Sequence, residues 1–252
     1  KESSAASDVY KRQISSWGQD LGGSLTLIDA VEAICRAVPA HIRVRLGSLE
    51  PRTITPEFCR RAAALPNLCP HFHLSMQSGC DSVLARMNRK YDSARYYKSV
   101  KLLNEAYEAP GITTDLIVGF PGETEEEFQQ TLAFIRRCAF SAMHIFPYSR
   151  RPGTPADGMP GQILNSIKEE RAHRAQQTAL EMEAAYLDRW VGQTVPVLFE
   201  EERDGLWRGH TTRYSEVAAP SGEDLHNQLR QVYITGRAGN ILQGELCEGQ
   251  EK

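Results

Sequence analysis

The sequence lacks clustered cysteines, and no cysteine lies in a pattern typical of metal or cluster ligands. The six cysteines are Cys35, Cys59, Cys69, Cys80, Cys138 and Cys247. No two of them have the close spacing found in zinc sites and iron–sulfur clusters. Because the sequence also shows no secretory segment, we interpret them as reduced thiols, mostly packed on helices, and predict a cytoplasmic location.

Three further absences narrow the functional classes. No apolar run reaches the roughly 20 residues of a membrane-spanning helix. No glycine-rich phosphate loop ending in lysine is present, which argues against nucleotide hydrolysis. The formal net charge is −3, so contact with nucleic acid would depend on local basic clusters rather than on an overall field.

Strand and helix patterns alternate over residues 14–192. Several helices carry clear start signals, such as the capping boxes of Thr26 with Asp29 and of Thr124 with Glu127. The predicted strands after the first cover residues 42–46, 71–76, 112–118 and 142–146. Such alternation predicts parallel strands joined by right-handed crossovers, an α/β fold with a partial β/α barrel.

The pattern changes after Gly192. A long helix predicted over residues 165–191 is followed by short strands and turns, among them the hairpin signal Asp204-Gly205. We therefore predict a small all-β barrel of about five strands at residues 193–247.

The two ends of the chain fit neither domain. Residues 1–13 are dominated by serine, alanine and charged side chains, and we predict a non-native or disordered leader there. Residues 248–252 are predicted to form a short tail.

Polar and aromatic side chains gather at the predicted carboxyl ends of the strands, where β/α folds place ligands. Asp115 lies in an otherwise apolar strand, where a carboxylate is costly unless it has a partner. Gly119 and Gly122 end that strand in a tight loop. This lining suits a bulky, polar ligand in a barrel mouth. The candidate residues are Ser48, Glu50, Gln77, Ser78, Asp115, Phe146, Tyr148 and Arg150.

Two features near these loops are open to two interpretations. Cys80 is either a nucleophile or a side chain that packs behind its loop. His71 and His73 alternate with apolar residues, so they form either a metal pair across one pleat or polar residues of the barrel interior. No third ligand is evident, and we predict no metal site and no catalytic residue in this chain.

Four short stretches of the sequence are distinctive motifs. They are RLGSLEP at residues 45–51, HFHLSMQSGCD at 71–81, TDLIVGFPGET at 114–124 and FPYSRRPGT at 146–154. Together they resemble the radical-SAM methylthiotransferases of tRNA, and most of all the branch that acts on N6-threonylcarbamoyladenosine next to the anticodon. The segment that begins DGLWRGHTTRYSEV at Asp204 is similar to the TRAM domain, a small RNA-binding β-barrel, that closes these proteins.

The resemblance implies S-adenosyl-L-methionine (SAM) as cofactor and two 4Fe-4S clusters in the intact enzyme. Members of the family hold these clusters with three N-terminal cysteines and a CxxxCxxC loop, both of which would precede residue 14. None of the six cysteines matches those ligands. We therefore expect this chain to be an N-terminally truncated part of such an enzyme, clusterless and inactive alone.

The resemblance also implies roles for the strand-end residues. Gln77 and Ser78 would lie near the ribose or amino-acid end of SAM, and Ile117 and Phe146 along its adenine. The residues expected to line the SAM or substrate side are Glu50, Asp115, Tyr148 and Arg150.

Arginines interleave with aromatic side chains in the predicted small barrel. This pattern is typical of a surface that follows an RNA backbone and stacks on bases, and the resemblance implies the tRNA anticodon stem-loop as partner. Scattered surface arginines on an ordinary barrel are the other interpretation, and Glu200 to Glu202 would repel phosphate. The candidate residues are Arg203, Trp207, Arg208, Arg213, Tyr214, Arg230, Tyr233 and Arg237.

Two other functions fit the same residues. One is a clusterless RNA-binding protein. The other is a radical-SAM methylthiotransferase with a different substrate, either isopentenyladenosine in tRNA or a ribosomal protein. The sequence predicts no membrane association and no protein partner.

Overall fold

The computed structural model describes residue 17 and residues 25–247. The predicted leader (1–13) and tail (248–252) lie outside the described residues. None of the helices in these ranges combines the length and apolar character of a membrane-spanning segment.

The first part of the described chain contains a parallel sheet of four strands. The strands, in spatial order, are β1 (Ser48–Leu49), β2 (His71–Leu74), β3 (Gly111–Val118) and β4 (Ala142–Pro147). Each strand pairs in parallel with the next one in the chain, because a helical crossover connects them. The predicted α/β architecture is confirmed for this sheet.

Helices cover one face of the sheet. They are α1 (Leu27–Ala37), α2 (Pro56–Ala63), α3 (Asp81–Arg86), α4 (Ser93–Ala106), α5 (Glu125–Cys138) and α6 (Asn165–Asp188), with 3-10 turns at Pro51–Thr53 and Pro155–Gly158. The two predicted capping boxes begin α1 and α5. Alternate residues of β3, such as Leu116 and Val118, are fully buried in the core beneath these helices. The residues between them, such as Asp115 and Ile117, lie on the opposite, inner face and are half-buried.

The prediction of a strand over residues 42–46 is wrong. Only Val44 pairs there, through its N–H to Asn67 O (2.8 Å) and its carbonyl to Cys69 N–H (2.8 Å). The next rung is missing because His71 N–H donates instead to Cys69 O at 2.7 Å, around Pro70. Proline has no N–H and favours such a tight turn, so the ladder stops and resumes only at β1.

Residues after α6 form a closed barrel of five antiparallel and parallel strands. They are β5 (Thr194–Arg203), β6 (Leu206–Thr211), β7 (Glu216–Ala219), β8 (Leu229–Ala238) and β9 (Ile241–Leu246). The predicted Asp204-Gly205 hairpin has positive φ at both residues (54° and 78°), as a type I′ turn requires. The predicted small barrel is thus confirmed as a fold.

Helix α6 connects the two ends of the sheet. Near its start, Lys168 packs on Gly119, just beyond the carboxyl end of β3. Near its end, Tyr186 donates its hydroxyl to Ala109 O (3.1 Å), just before the amino end of β3. At 1.5 Å per residue, these contacts are about 27 Å apart along the helix. The small barrel therefore begins at the amino end of the sheet. The mouth lies at the other end, where the strands have their carboxyl ends.

Candidate functional site

The loop after β3 forms one side of the mouth. Gly119 and Gly122 have φ of 71° and 74°, a region that favours glycine. A Cβ on Gly119 would lie 2.4 Å from Lys168 Cγ, so helix α6 approaches the backbone closely there. Both features explain why this loop needs glycine at position 119.

A buried ion pair fixes this loop. Arg171, on α6, donates through Nη1 to the main-chain oxygen of Glu123 (3.0 Å) and to its Oε2 (3.2 Å). The Glu123 carboxylate also accepts a hydrogen bond from Gly119 N–H. Burial raises the pKa of Glu123, whereas Gly119 and Arg171 oppose that shift. The sequence showed Glu123 in the loop but gave no sign of its partner 48 residues later.

The loop after β2 is held by side-chain hydroxyls. Thr114 accepts from Met76 N–H (3.1 Å) and donates to Leu74 O, replacing main-chain pairs where the strand bends away. Tyr96, fully buried, adds a hydrogen bond to Leu74 O at 2.9 Å. Gln77 then re-forms pairing with β3 at φ 70°, its N–H donating to Asp115 O (2.9 Å). These contacts set the position of the Gln77 loop.

A line of polar side chains runs along the inner face of the sheet. Asp115 Oδ2 lies 3.3 Å from His73 Nε2, and His73 Nδ1 lies 3.0 Å from Thr113 Oγ1. Thr113 Oγ1 is in turn 3.4 Å from His71 Nε2. The two histidines are thus polar residues of the interior. No group of three or more potential metal-ligating side chains occurs within the described ranges.

An apolar surface lies further toward the mouth. Ile117 and Phe146 are register partners on β3 and β4, and Phe146 is 52% exposed. Phe120 packs edge-on against Tyr148, with ring centroids 5.2 Å apart. The Tyr148 hydroxyl is buried and has no hydrogen-bond partner. A flat aromatic ligand would suit the apolar face formed by Ile117 and Phe146.

Other predicted site residues are engaged within the chain. The Glu50 carboxylate accepts from Arg52 Nε at 2.6 Å, and the Arg150 guanidinium donates to Asp157 Oδ1 at 2.8 Å. Ser48 is half-buried and opposite His73 in register.

Ser78 does not line the mouth, which corrects its predicted place. It is 1% exposed, because its hydroxyl accepts from Cys80 N–H (3.2 Å) and lies 3.4 Å from Thr131 Oγ1 on α5. Cys80, 3% exposed, packs behind the same loop, as one of its two interpretations required.

The small barrel engages several of the side chains predicted to contact RNA. Trp207 is 7% exposed and part of the barrel core, so it is not available to stack on a base, which corrects that prediction. Arg237 Nε lies 2.6 Å from Asp188 Oδ1. Arg213 and Tyr214 contact the sheet. The structure therefore does not gather all eight residues on one free surface.

The remaining candidates differ in exposure. Arg208 and Arg230 form long ion pairs of 3.5 Å with Glu216 and Glu223, and the Arg208 side chain is only 18% exposed. Arg203 is exposed, and Tyr233 is 45% exposed. Their role in RNA binding stays a prediction.

A family model described as the Radical SAM superfamily matches residues 7–135, half of the chain. The chain belongs to the radical SAM superfamily. Its fold agrees with this: coproporphyrinogen III oxidase (HemN) from Escherichia coli, a radical SAM enzyme, superposes with a TM-score of 0.51 at 16% identity. The match covers 62% of this chain and 37% of that one. At this identity the likeness concerns the fold alone.

Curated relatives of this radical SAM chain are tRNA-modifying enzymes. A tRNA-2-methylthio-N(6)-dimethylallyladenosine synthase from Chloroflexus aurantiacus is 37% identical over 92% of this chain and 50% of that protein. The threonylcarbamoyladenosine tRNA methylthiotransferase MtaB is 40% identical in Thermotoga maritima, over 74% of this chain and 42% of that protein. The Bacillus subtilis MtaB is 35% identical, over 82% and 49%. The chain spans about half the length of the curated relatives it matches.

Proposed function

We propose that this chain is part of a tRNA methylthiotransferase that modifies N6-threonylcarbamoyladenosine next to the anticodon. The supporting observation is its 35–40% identity to relatives named as 2-methylthio-dimethylallyladenosine synthases or threonylcarbamoyladenosine methylthiotransferases of tRNA. The longer matches include both the sheet and the small barrel. The SLEP wording at residues 48–51 and HLSMQSG at 73–79 favour the threonylcarbamoyladenosine branch. Relatives named for dimethylallyladenosine form the second candidate.

The mouth fits SAM in part. Ile117 and the exposed Phe146 ring offer an apolar surface for an adenine. The Asp115 carboxylate, held by His73, lies on the same face as Ile117 and offers an acceptor for an ammonium or hydroxyl group. SAM supplies the methyl and adenosyl groups of this chemistry. The residues of this chain would bind and orient it, with Gln77 at the rim.

The described residues do not fit an iron–sulfur cluster. Cys35, Cys59, Cys69, Cys80 and Cys138 are all buried. Burial raises the pKa of Cys59 to about 11 and that of Cys138 to about 12, which disfavours the thiolate that a cluster requires. We therefore assign no step of the reaction to a cluster held by these residues, and propose that the chain alone does not turn over.

RNA contact by the small barrel is part of the same proposal. Its more exposed candidates are Arg203, Arg230 and Tyr233, which would meet the phosphate backbone and an unstacked base. The relation of this barrel to TRAM domains rests on the wording of the sequence.

The reaction and its substrate are tested together in cells. The full reading frame that contains these residues is expressed in a bacterium lacking its own tRNA methylthiotransferases, and tRNA nucleosides are analysed by mass spectrometry. We expect a methylthio group on N6-threonylcarbamoyladenosine, and its loss in Asp115→Ala. A methylthio group on dimethylallyladenosine instead would reject the substrate, and unmodified nucleosides would reject the reaction.

A further inference from the structure

The turn between β6 and β7, residues 212–215, contacts the sheet rather than solvent alone. Arg213 donates from Nε to Ala109 O (3.0 Å) and from Nη2 to Glu108 O (2.9 Å). Its guanidinium carbon lies 4.4 Å from the ring centroid of Trp190, just after the end of α6. One side chain of the small barrel thus joins three parts of the chain.

The two carbonyls that Arg213 binds lie just beyond the end of α4. A guanidinium that donates to a main-chain carbonyl forms a charge-assisted hydrogen bond, which is stronger than a neutral one. Ala109 O also accepts from the Tyr186 hydroxyl (3.1 Å), so two side chains converge on this carbonyl. The contact is therefore favoured by charge as well as by hydrogen bonding.

Tyr214, next in the turn, lies among rings and a cation. Its ring stacks on His210 of the same barrel, with centroids 4.4 Å apart and planes 13° apart. On the sheet side, His71 lies 5.3 Å away and the Arg45 guanidinium carbon 3.9 Å away. Tyr214 has φ 65°, uncommon for a bulky residue, and these contacts stabilise that conformation.

The sheet returns a matching contact. Arg43, before β1, donates to His210 O (3.0 Å) and to Pro196 O (3.1 Å) of the small barrel. Arg43 and Arg213 thus each bind two main-chain carbonyls of the other unit. Loss of either arginine would remove two charge-assisted hydrogen bonds between the two units.

The backbones also approach closely. A Cβ on Gly111, the first residue of β3, would lie 2.3 Å from Arg213 O. The turn therefore fits against the amino ends of β2 and β3 only because position 111 has no side chain.

We propose that residues 212–215 are an intramolecular docking hairpin, which locks the small barrel onto the amino end of the sheet through the Arg43 and Arg213 exchange and the Tyr214 stack. The barrel then unfolds together with the sheet and keeps one orientation. It lies at the end opposite the mouth, about 27 Å from it along α6. Arg213 and Tyr214 accordingly serve docking rather than RNA. This proposal does not depend on the proposed function.

Unfolding in urea, followed by two signals, tests the hairpin. In a Trp17→Phe background, fluorescence comes from Trp190 and Trp207, both in the small-barrel core, whereas far-ultraviolet circular dichroism reports mainly the helices on the sheet. We expect one coincident transition. In the Arg43→Ala/Arg213→Ala variant the two transitions should separate. Trypsin cleavage after the exposed Arg189 should accelerate about tenfold or more, as expected for losing charge-assisted hydrogen bonds.

Matched changes separate docking from a general loss of stability. Arg203→Ala removes an exposed arginine from the other end of the β5–β6 pair and should leave both transitions coincident. Native-state hydrogen exchange of the unaltered chain needs no variant and should give one common protection for the β3 and β8 amides. Separate protection classes, separate transitions in the parent, or unchanged coincidence and midpoint in the double variant would each overturn the proposal.

Discussion

His71 is a buried histidine at the amino end of β2, 2% exposed. Burial first of all, and then the positive charge of Arg45, lower its pKa to about 4. An unfolded histidine has a pKa near 6.5, so the unfolded chain takes up the proton first as pH falls. The folded state therefore loses stability between about pH 6.5 and 4, and its neutral histidine costs nothing above that window.

Replacing this histidine should remove that acid sensitivity. Between pH 7.5 and 4.5 the parent should lose about 2–3 kcal/mol more than His71→Gln, because the variant has no proton to take up at this site. Urea unfolding at both pH values measures the difference. The exposed His41→Gln serves as control and should behave as the parent. If the parent and His71→Gln lost the same free energy of unfolding on acidification, this prediction would be wrong.

For a single residue, the pattern of its own strand predicts whether it needs a partner, but not which distant residue that partner is. A carboxylate in an apolar strand predicts that Asp115 has a partner, and His73 provides one. Which residue it is depends on the register of β2 against β3, which no local pattern specifies. Arg213 illustrates the same limit. An arginine next to an aromatic residue in the sequence is compatible both with an RNA-binding surface and with a contact inside the protein.

One buried ion pair joins the loop after β3 to helix α6. The Arg171 and Glu123 side chains are 6% and 1% exposed. Removing one partner of a buried ion pair leaves an uncompensated charge, whereas replacing both with neutral groups is often tolerated.

Arg171→Met should therefore lower the free energy of unfolding by about 3–5 kcal/mol. The double variant Glu123→Gln/Arg171→Met should recover part of that loss, since no carboxylate remains to be buried. Arg174→Met, three residues on, removes a more exposed arginine bound to Glu125 and Glu170, and should cost less than about 1 kcal/mol. Urea unfolding of the parent and the three variants measures these changes in the free energy of unfolding. Equal losses in Arg171→Met and Arg174→Met would contradict a special role for the buried pair.

Element boundaries followed the sequence where local signals were strong. Capping residues begin α1 and α5 at the predicted places, and the Asp204-Gly205 turn joins β5 to β6. The prediction failed at residues 42–46, where alternation alone indicated a strand. Pro70, 26 residues after Val44, ends that pairing, and such a distant cause is not visible in a local pattern.

At the scale of the whole molecule, two units meet at the amino end of the sheet and the mouth lies at the other. The change of pattern after Gly192 predicts both units, but not their contact, because Arg43, Arg213 and Tyr214 come together from distant parts of the chain. A tRNA that reaches both the mouth and the small barrel would have to span the length of the sheet.

RNA binding by the whole chain should therefore depend on arginines that are not engaged in docking. We expect an anticodon stem-loop to bind weakly, with an affinity that falls steeply with salt as counterions are released. Arg203→Ala and Arg230→Ala should each reduce the salt slope by roughly one without altering stability. Arg36→Ala, an arginine on α1 whose side chain is 72% exposed, is the matched control and should leave the slope unchanged. Arg213→Ala is unsuitable here, because it would release the docking hairpin and change binding indirectly. Filter binding at several salt concentrations gives the slopes. Salt-independent binding, or the same slope in all three variants, would remove the small barrel as an RNA surface and leave it as a structural cap on the sheet.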